Sequence, residues 1–353
     1  MTSSSRSPIA TRQNQILGCL LGCAVGDSMG LPYEGLSRRR TAQFLRLPLR
    51  QSFLASRGMV SDDTDHTVFV AQSLALNPVS PERFASSLAW RLRFWLLCFP
   101  AGIGWATLRS TVRLWFGVSP ARSGVFSAGN GAAMRSAIIG VYQPSDRELR
   151  RRFVSASTRI THSDPQAEFG AQAIAEVAAW IARENSRPTI SDLELMLRSA
   201  GEGRVWEEAT GRTLLACQEG NVEHALPKNR RERGVSGYIG HTMPVAVSAW
   251  FIHYGDFRKT IETVVSLGGD TDTVAAIAGA LAGLSAMPSG IPADWVSQLV
   301  DCPHGPRYFS QLADSMAQGR TDHTAFSWWL FPRGVIFTAI VLAHGFRRLL
   351  PPF

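Results

Sequence analysis

The chain has 353 residues, 45% of them hydrophobic, and a formal charge of +8. That length and apolar content allow a large buried core in one big domain or two, and no Pro/Gly/Ser linker divides them. The basic surplus is almost entirely arginine, in clusters at 38–40, 150–152, 228–233 and 347–348 with no aromatic residues interleaved; this argues against a specific nucleic-acid reader and suits attraction of an anionic ligand such as a pyrophosphate.

In chain order, residues 1–12 read as a disordered arm. Ile16–Val25 is short and apolar, and Leu20-Leu21-Gly22-Cys23 mimics a lipoprotein cleavage site. Gly18, Gly22, Gly26 and Gly30 at successive i+4 spacing argue instead for a helix with a smooth stripe against which another backbone packs. Asp27 lies on that helix and is expected to be a buried, hydrogen-bonded acid or to face a cleft. Glu34 follows Leu31-Pro32, where a polar residue after a buried helix often faces a cleft. Ser61-Asp62-Asp63-Thr64-Asp65 opens a second apolar helix. Residues 80–117 are helical and aromatic-rich, interrupted at Pro100–Gly104, and their rings are expected in the core. The small residues of Ser123–Gly131 leave backbone N–H groups accessible, as phosphate-holding loops do. Thr161-His162-Ser163-Asp164-Pro165 makes a polar turn before a helix over 167–182. Residues 190–220 read as amphipathic helix, followed by a basic loop (226–236), Gly237-Tyr238-Ile239-Gly240 and another small-apolar helix.

Leu267–Gly283 contains Gly268-Gly269, then Asp270, Asp272 and Thr273 at the start of a helix of small apolar residues, with Gly279 and Gly283 at i,i+4. No period-two alternation is sustained anywhere, so the body is read as all-α, a single compact domain over 13–302. Residues 303–353 form an apolar tail split by Pro332-Arg333, expected to dock on the core as an extra helix. A membrane-surface contact through Trp328, Trp329, Arg347 and Arg348 stands as the second reading of that tail. The five cysteines are scattered without a CxxC pair, which fits a reduced, cytoplasmic setting and argues against zinc.

Acids crowded at the starts of two apolar helices can be simple N-caps. Adjacent buried carboxylates repel, however, and the two stretches together supply four or more carboxylates with hydroxyls beside them. That donor set is enough for two hard divalent ions such as Mg²⁺ or Mn²⁺.

Five motifs in order, GCAVGDSMGLPYEG (22–35), SDDT (61–64), SAGNGAAMR (127–135), THSDP (161–165) and GGDTDT (268–273), resemble the ADP-ribosylglycohydrolase family over about residues 14–290. The resemblance implies a helical fold with a binuclear magnesium site and hydrolysis of an ADP-ribosyl bond on a protein or small molecule. By that likeness Ser61, Asp62, Asp63, Asp270, Asp272 and Thr273 would ligate metal, with Glu34 and Asp63 at the reacting centre. Ser127, Gly129, Asn130 and Gly131 would hold the diphosphate and distal ribose, His162 a phosphate or ribose, and Tyr238 the adenosine. Two departures are visible. Position 61 is Ser where Thr is common, which keeps the hydroxyl. Gly102 stands where arginine-directed relatives carry an Asp, which removes a partner for a guanidinium. The expected state is a monomer. A non-catalytic ADP-ribose-binding or crystallin-like relative is the alternative reading, and a metal-dependent phosphohydrolase a third.

Overall fold

The glycine stripe decides the architecture. The computed structural model describes residues 8–54 and 56–347. Helix Pro8–Gly30 runs antiparallel to helix Thr271–Gly290, with Gly18 facing Gly283, Gly22 facing Gly279, Gly26 facing Ala275 and Gly30 facing Thr271. A β-carbon added to any of these four glycines of the first helix would meet a backbone carbonyl oxygen of the other helix, far inside van der Waals contact. Without side chains between them the backbones themselves touch, closer than the usual helix spacing of about 8–10 Å. The antiparallel arrangement brings the end of the first helix beside the start of the second, and Thr271 Oγ1 donates to the Gly30 carbonyl at 2.8 Å. Gly26→Val is therefore expected to cost about 3 kcal/mol or more, seen as a lower urea midpoint; an unchanged midpoint would refute the close approach.

Helix Asp62–Leu76 packs beside this pair. Helices Pro165–Glu184, Ile239–Ile252 and Phe257–Ser266 enclose Thr271–Gly290 from other sides. Trp95, Trp206, Trp250 and Trp295 are fully buried within this body. Pro8–Tyr33 and Thr271–Gly290 are apolar and long enough to cross a bilayer, yet both lie mostly buried against the rest of the fold. Among the described residues the only extended pairing is isolated bridges, as the all-α reading expects.

Some boundaries differ from the sequence reading. The first helix begins at Pro8, inside the expected disordered arm; residues 1–7 lie outside the described residues. The stretch 190–220 is two helices, Ile190–Ala200 and Arg204–Glu219, parted where Gly203 takes a positive φ of 89°. Pro332 and Arg333 do not split the tail: they occupy the first turn of helix Leu330–Arg347, where a proline is tolerated. Only a minority of the aromatic stretch is core. Phe84 and Trp95 are buried, but Trp90, Phe99, Trp105, Trp115 and Phe116 are exposed. Trp90 and Trp95, five residues apart, fall on different faces of helix Pro81–Leu96.

Candidate functional site

Two helix N-termini meet at the end of the glycine-packed pair. Asp27, in the last turns of helix Pro8–Gly30, builds the first. Its Oδ2 accepts from Ser61 N (2.9 Å), Thr64 N (3.2 Å) and Thr64 Oγ1 (2.5 Å). One buried acid thus takes the N–H of the cap residue Ser61 and a free N–H of the first turn of helix Asp62–Leu76. Ser61 Oγ then caps Asp63 N at 3.3 Å and donates to Asp63 Oδ2 at 3.2 Å.

The second N-terminus is fixed by backbone pairing. Gly35 N donates to Gly269 O (2.8 Å) and Gly269 N to Leu36 O (2.7 Å), while Asp270 N donates to Val235 O (2.9 Å). Gly268 and Gly269 both have positive φ, 68° and 90°, and a β-carbon on Gly269 would run into Val235; glycine is needed at both for conformation and space. This turn carries Asp270, Asp272 and Thr273 to the acids of the other helix. Thr273 Oγ1 donates to Asp63 Oδ2 across 210 residues of sequence, at 3.1 Å.

The result is a cleft of about 570 Å³ whose walls include Glu34, Asp62, Asp270, Asp272 and Thr273. Ser61 and Asp63 are buried immediately behind that wall. Ionisation of these acids is strongly disfavoured. Burial raises the pKa of Asp62, with Asp27 and Glu34 adding to it, and raises Asp63, with Asp62, Asp27 and Asp270 adding. Asp272 is raised by burial and then by Glu34, Asp270 and Asp63. Asp270 is raised by burial despite its hydrogen bonds, and burial lifts Asp27 to about 6. Oδ1 of Asp27, of Asp63 and of Asp272 is buried without a hydrogen-bond partner, which is costly for a carboxylate. Among the described residues no three His, Cys, Asp or Glu side chains form a ready-made coordination shell. The donors are nonetheless all oxygens, crowded, buried and partly unpartnered, and such a set fits a hard divalent cation.

Across the cleft lie Ser127, Gly129, Asn130 and Gly131. The 127–131 loop is held by Asn130 N donating to Gly237 O and Ile239 N donating to Ala128 O, both at 2.9 Å. Asn130 Nδ2 donates to Asp270 Oδ2 at 2.6 Å and to Thr242 Oγ1 at 3.1 Å, so its side chain also steadies an acid while the residue lines the cleft. Gly129 and Gly131 lack side chains where His162 stands; a β-carbon on either would be 3.0 Å from the imidazole. His162 also lines the cleft. Arg135, fully buried, can only donate, and its Nη2 gives a hydrogen to Thr161 Oγ1 at 2.7 Å. The Thr161 hydroxyl hydrogen is left for His162 Nδ1 at 2.8 Å. Nδ1 therefore accepts, and the neutral ring carries its proton on Nε2, the nitrogen beside Gly129. Burial, reinforced by the Arg135 charge, holds His162 neutral with a pKa of about 3.

Tyr238 is not brought to the cleft wall. Its backbone pairs with Gly129, and its ring packs edge-on against His241 with centroids 5.0 Å apart. The rim aromatic is Trp105, 79% exposed, and Gly102 sits beside it with open space where a side chain would extend. Arg230 and Arg233 of the basic loop also line the cleft; the sequence marked that loop only as a charge cluster.

Residues behind the acids form a set that the sequence did not reveal. Asp65 points away from the cleft, accepting from Trp95 Nε1 at 3.0 Å and pairing with His304 Nδ1 at 2.7 Å and Arg333 Nη1 at 3.5 Å. Burial alone would raise its pKa, but Arg333 and His304 outweigh burial and bring it to about 2. Arg333 also pairs with Asp301 and donates to the carbonyl of Val60, next to Ser61. The tail thus braces the first acidic turn.

The family model described as ADP-ribosylglycohydrolase matches residues 8–325. An uncharacterized protein of Archaeoglobus fulgidus is 32% identical over 299 residues, 82% of this chain and 92% of its own. The ADP-ribosyl-[dinitrogen reductase] glycohydrolase of Rhodospirillum rubrum is 26% identical, covering 81% of this chain and 90% of its own. A solved structure titled ADP-ribosylglycohydrolase-related protein complex superposes with a TM-score of 0.64 at 25% identity, covering 88% of this chain and 99% of that one. The match extends past the expected limit of 302 and takes in His304, leaving helix Leu330–Arg347 outside it. With a family match over nearly its whole length and its acids gathered in one cleft, this chain belongs to the ADP-ribosylglycohydrolase family.

Proposed function

We propose that this protein hydrolyses an ADP-ribosyl glycosidic bond, releasing ADP-ribose from a protein or small-molecule conjugate. The reading rests above all on one observation: Asp62, Asp63, Asp270 and Asp272 arrive from two distant helix starts in a single cleft that also holds Glu34. Ser61, Asp62, Asp63, Asp270, Asp272 and Thr273 would hold two divalent ions, Mg²⁺ or Mn²⁺. When bound, these ions supply positive charge that keeps the acids ionised and binds the ribose hydroxyls.

The remaining work falls to the chain itself. Breaking the bond at the ribosyl anomeric carbon develops oxocarbenium character there. Glu34, exposed on the cleft lip and close enough to raise the pKa of Asp62 and Asp272, is placed to take a proton from the attacking water. His162 presents its Nε2 hydrogen to a phosphate oxygen, and Arg230 and Arg233 balance the diphosphate charge. Trp105 offers a flat face at the rim to a base. Asn130 holds Asp270 in place. Gly102 leaves the rim without the carboxylate that would favour an arginine conjugate.

Glu34→Gln is expected to lower kcat by about 10²–10⁴-fold while ADP-ribose affinity, read by calorimetry, changes only a few-fold. The opposite split, with weak binding and retained turnover, would make Glu34 a binding residue. Release of ADP-ribose from defined conjugates, with and without EDTA, tests the activity itself; binding without turnover in every case would favour a non-catalytic ADP-ribose binder.

A further inference from the structure

Helix Leu330–Arg347 has two apolar faces, and only one is covered. The docked face buries Leu330 and Phe337, sets Phe53 against Phe337 and His344 with ring centroids 5.8 and 5.3 Å apart, and lays Gly334 directly on the backbone of Cys98. The outer face carries Phe331, Val335, Ile336, Leu342 and Phe346, between 45% and 66% exposed, with Ala339 and Ala343 among them. No charged residue lies on that exposed face between 330 and 346. A solvated helix turns its charges to water; this one turns hydrocarbon to it. The apolar surface continues beyond the helix: Phe99 packs on Phe331 at 5.9 Å, and exposed Trp328 packs on Phe94 at 5.4 Å, which stacks in turn on exposed Trp90. A contiguous apolar patch of this kind marks a contact surface.

The charge around it identifies the contact. From Gly35 to Ser61 the chain has six arginines and no Asp or Glu, and after Asp322 it has no acid, while Arg333 there is already paired internally with Asp65 and Asp301. These two acid-free segments are the ones that meet at Phe53, Phe337 and His344. Arg46, Leu47 and Arg50 are exposed and, with His344, line an apolar pocket of about 410 Å³ beside the C-terminal half of the helix. We propose that this face docks in the plane of an anionic lipid surface, with the helix lying in the interface, the tryptophans at headgroup level and the arginines on lipid phosphates. Val335–Ala343, the unbroken apolar run, is about half the length needed to span a bilayer. A symmetric second copy on this face would set one arginine-rich border against another and meet like-charge repulsion.

Full-length protein is sedimented with vesicles of phosphatidylcholine alone and of phosphatidylcholine mixed equally with phosphatidylglycerol. The protein should pellet with the mixed vesicles at low salt and stay largely in solution with the neutral ones. Ile336→Asp with Leu342→Asp, both on the exposed face, should abolish pelleting while circular dichroism and hydrolysis of a soluble conjugate stay as in the parent. Arg46→Gln with Arg50→Gln should weaken binding to the mixed vesicles by about 30-fold. Absence of pelleting, or equal pelleting on both vesicle types, overturns the proposal. So does a concentration-dependent dimer in light scattering that the double Asp variant dissolves, which would assign the face to a second copy of the chain.

Discussion

Asp272→Asn is expected to lower hydrolysis by about 10³-fold or more and, in the same protein stripped of metal, to raise stability. The two effects share one cause. Asp272 is 5% exposed, its Oδ1 has no partner, and any charge it carries is opposed by burial and then by Glu34, Asp270 and Asp63. The amide removes that repulsion and brings two hydrogens that neighbouring carboxylates can accept, a change worth about 1–3 kcal/mol for a buried group previously unsatisfied. It also removes a ligand, so the rise in melting temperature that Mg²⁺ gives the parent should shrink or vanish. A thermal melt in EDTA and again in Mg²⁺, beside an ADP-ribose release assay, reads all three. A variant that is less stable than the parent in EDTA would show that Asp272 is a structural residue rather than a repelled ligand.

The second large effect is in the pH dependence of stability, which should depend on metal between about pH 5 and 6.5. Two groups of residues oppose each other there. His162 and His241 are held by burial at pKa values of about 3 and about 4, and His66 is pushed well down by burial and Arg135. Unfolding lets each bind a proton near its free value of about 6.5. Below that value the unfolded chain holds more protons, so stability falls as pH drops from about 6.5 toward 4. The acids act in the other direction. Asp27, at about 6, and Asp62, Asp63 and Asp272, pushed well above the usual carboxylate range by burial and by one another, hold protons in the metal-free fold more tightly than the unfolded chain does at about 3.9. Their contribution is fully present below about pH 4 and is lost as pH rises through their folded values. In EDTA the two trends oppose each other and flatten the profile. With saturating Mg²⁺ the acids stay ionised and only the histidine trend remains, so stability should rise clearly from pH 5 to 6.5. Denaturant midpoints measured at both pH values with and without metal make the comparison; identical slopes in the two conditions would count against a cation among these acids.

The features legible in the sequence were local ones. Glycines four apart and carboxylates two apart announce a smooth helix face and a repulsive cluster without reference to any other part of the chain. The same helical periodicity separates Trp90 from Trp95, and the exposure of Trp90 could have been read from it. What stayed hidden depends on tertiary partners. Arg135 and Arg333 look like any other of the many arginines, yet they are buried in hydrogen-bond and ion-pair sets with Thr161, Ser157 and His66, and with Asp65 and Asp301. Asn130 sits in a glycine-rich loop whose small residues read as a ligand cradle, and its amide bond to Asp270, 140 residues away, could not be read from that loop. The edge-on packing of Tyr238 against His241 likewise depends on the fold.

Glycines repeated every fourth residue make a ruler with identical marks. A one-turn slip, about 5.4 Å, would set glycine against glycine along part of the first helix almost as well as the native register does. The marks differ toward the end, where Gly26 meets Ala275 and the Thr271 hydroxyl meets the Gly30 carbonyl. Those unlike marks, with the Thr271 hydrogen bond the most specific of them, favour one alignment, and the alignment sets how far Glu34 stands from Asp272. The distance between a proton acceptor and the acids opposite it is thus gauged at the seam of two helices, by a threonine that need never touch the substrate.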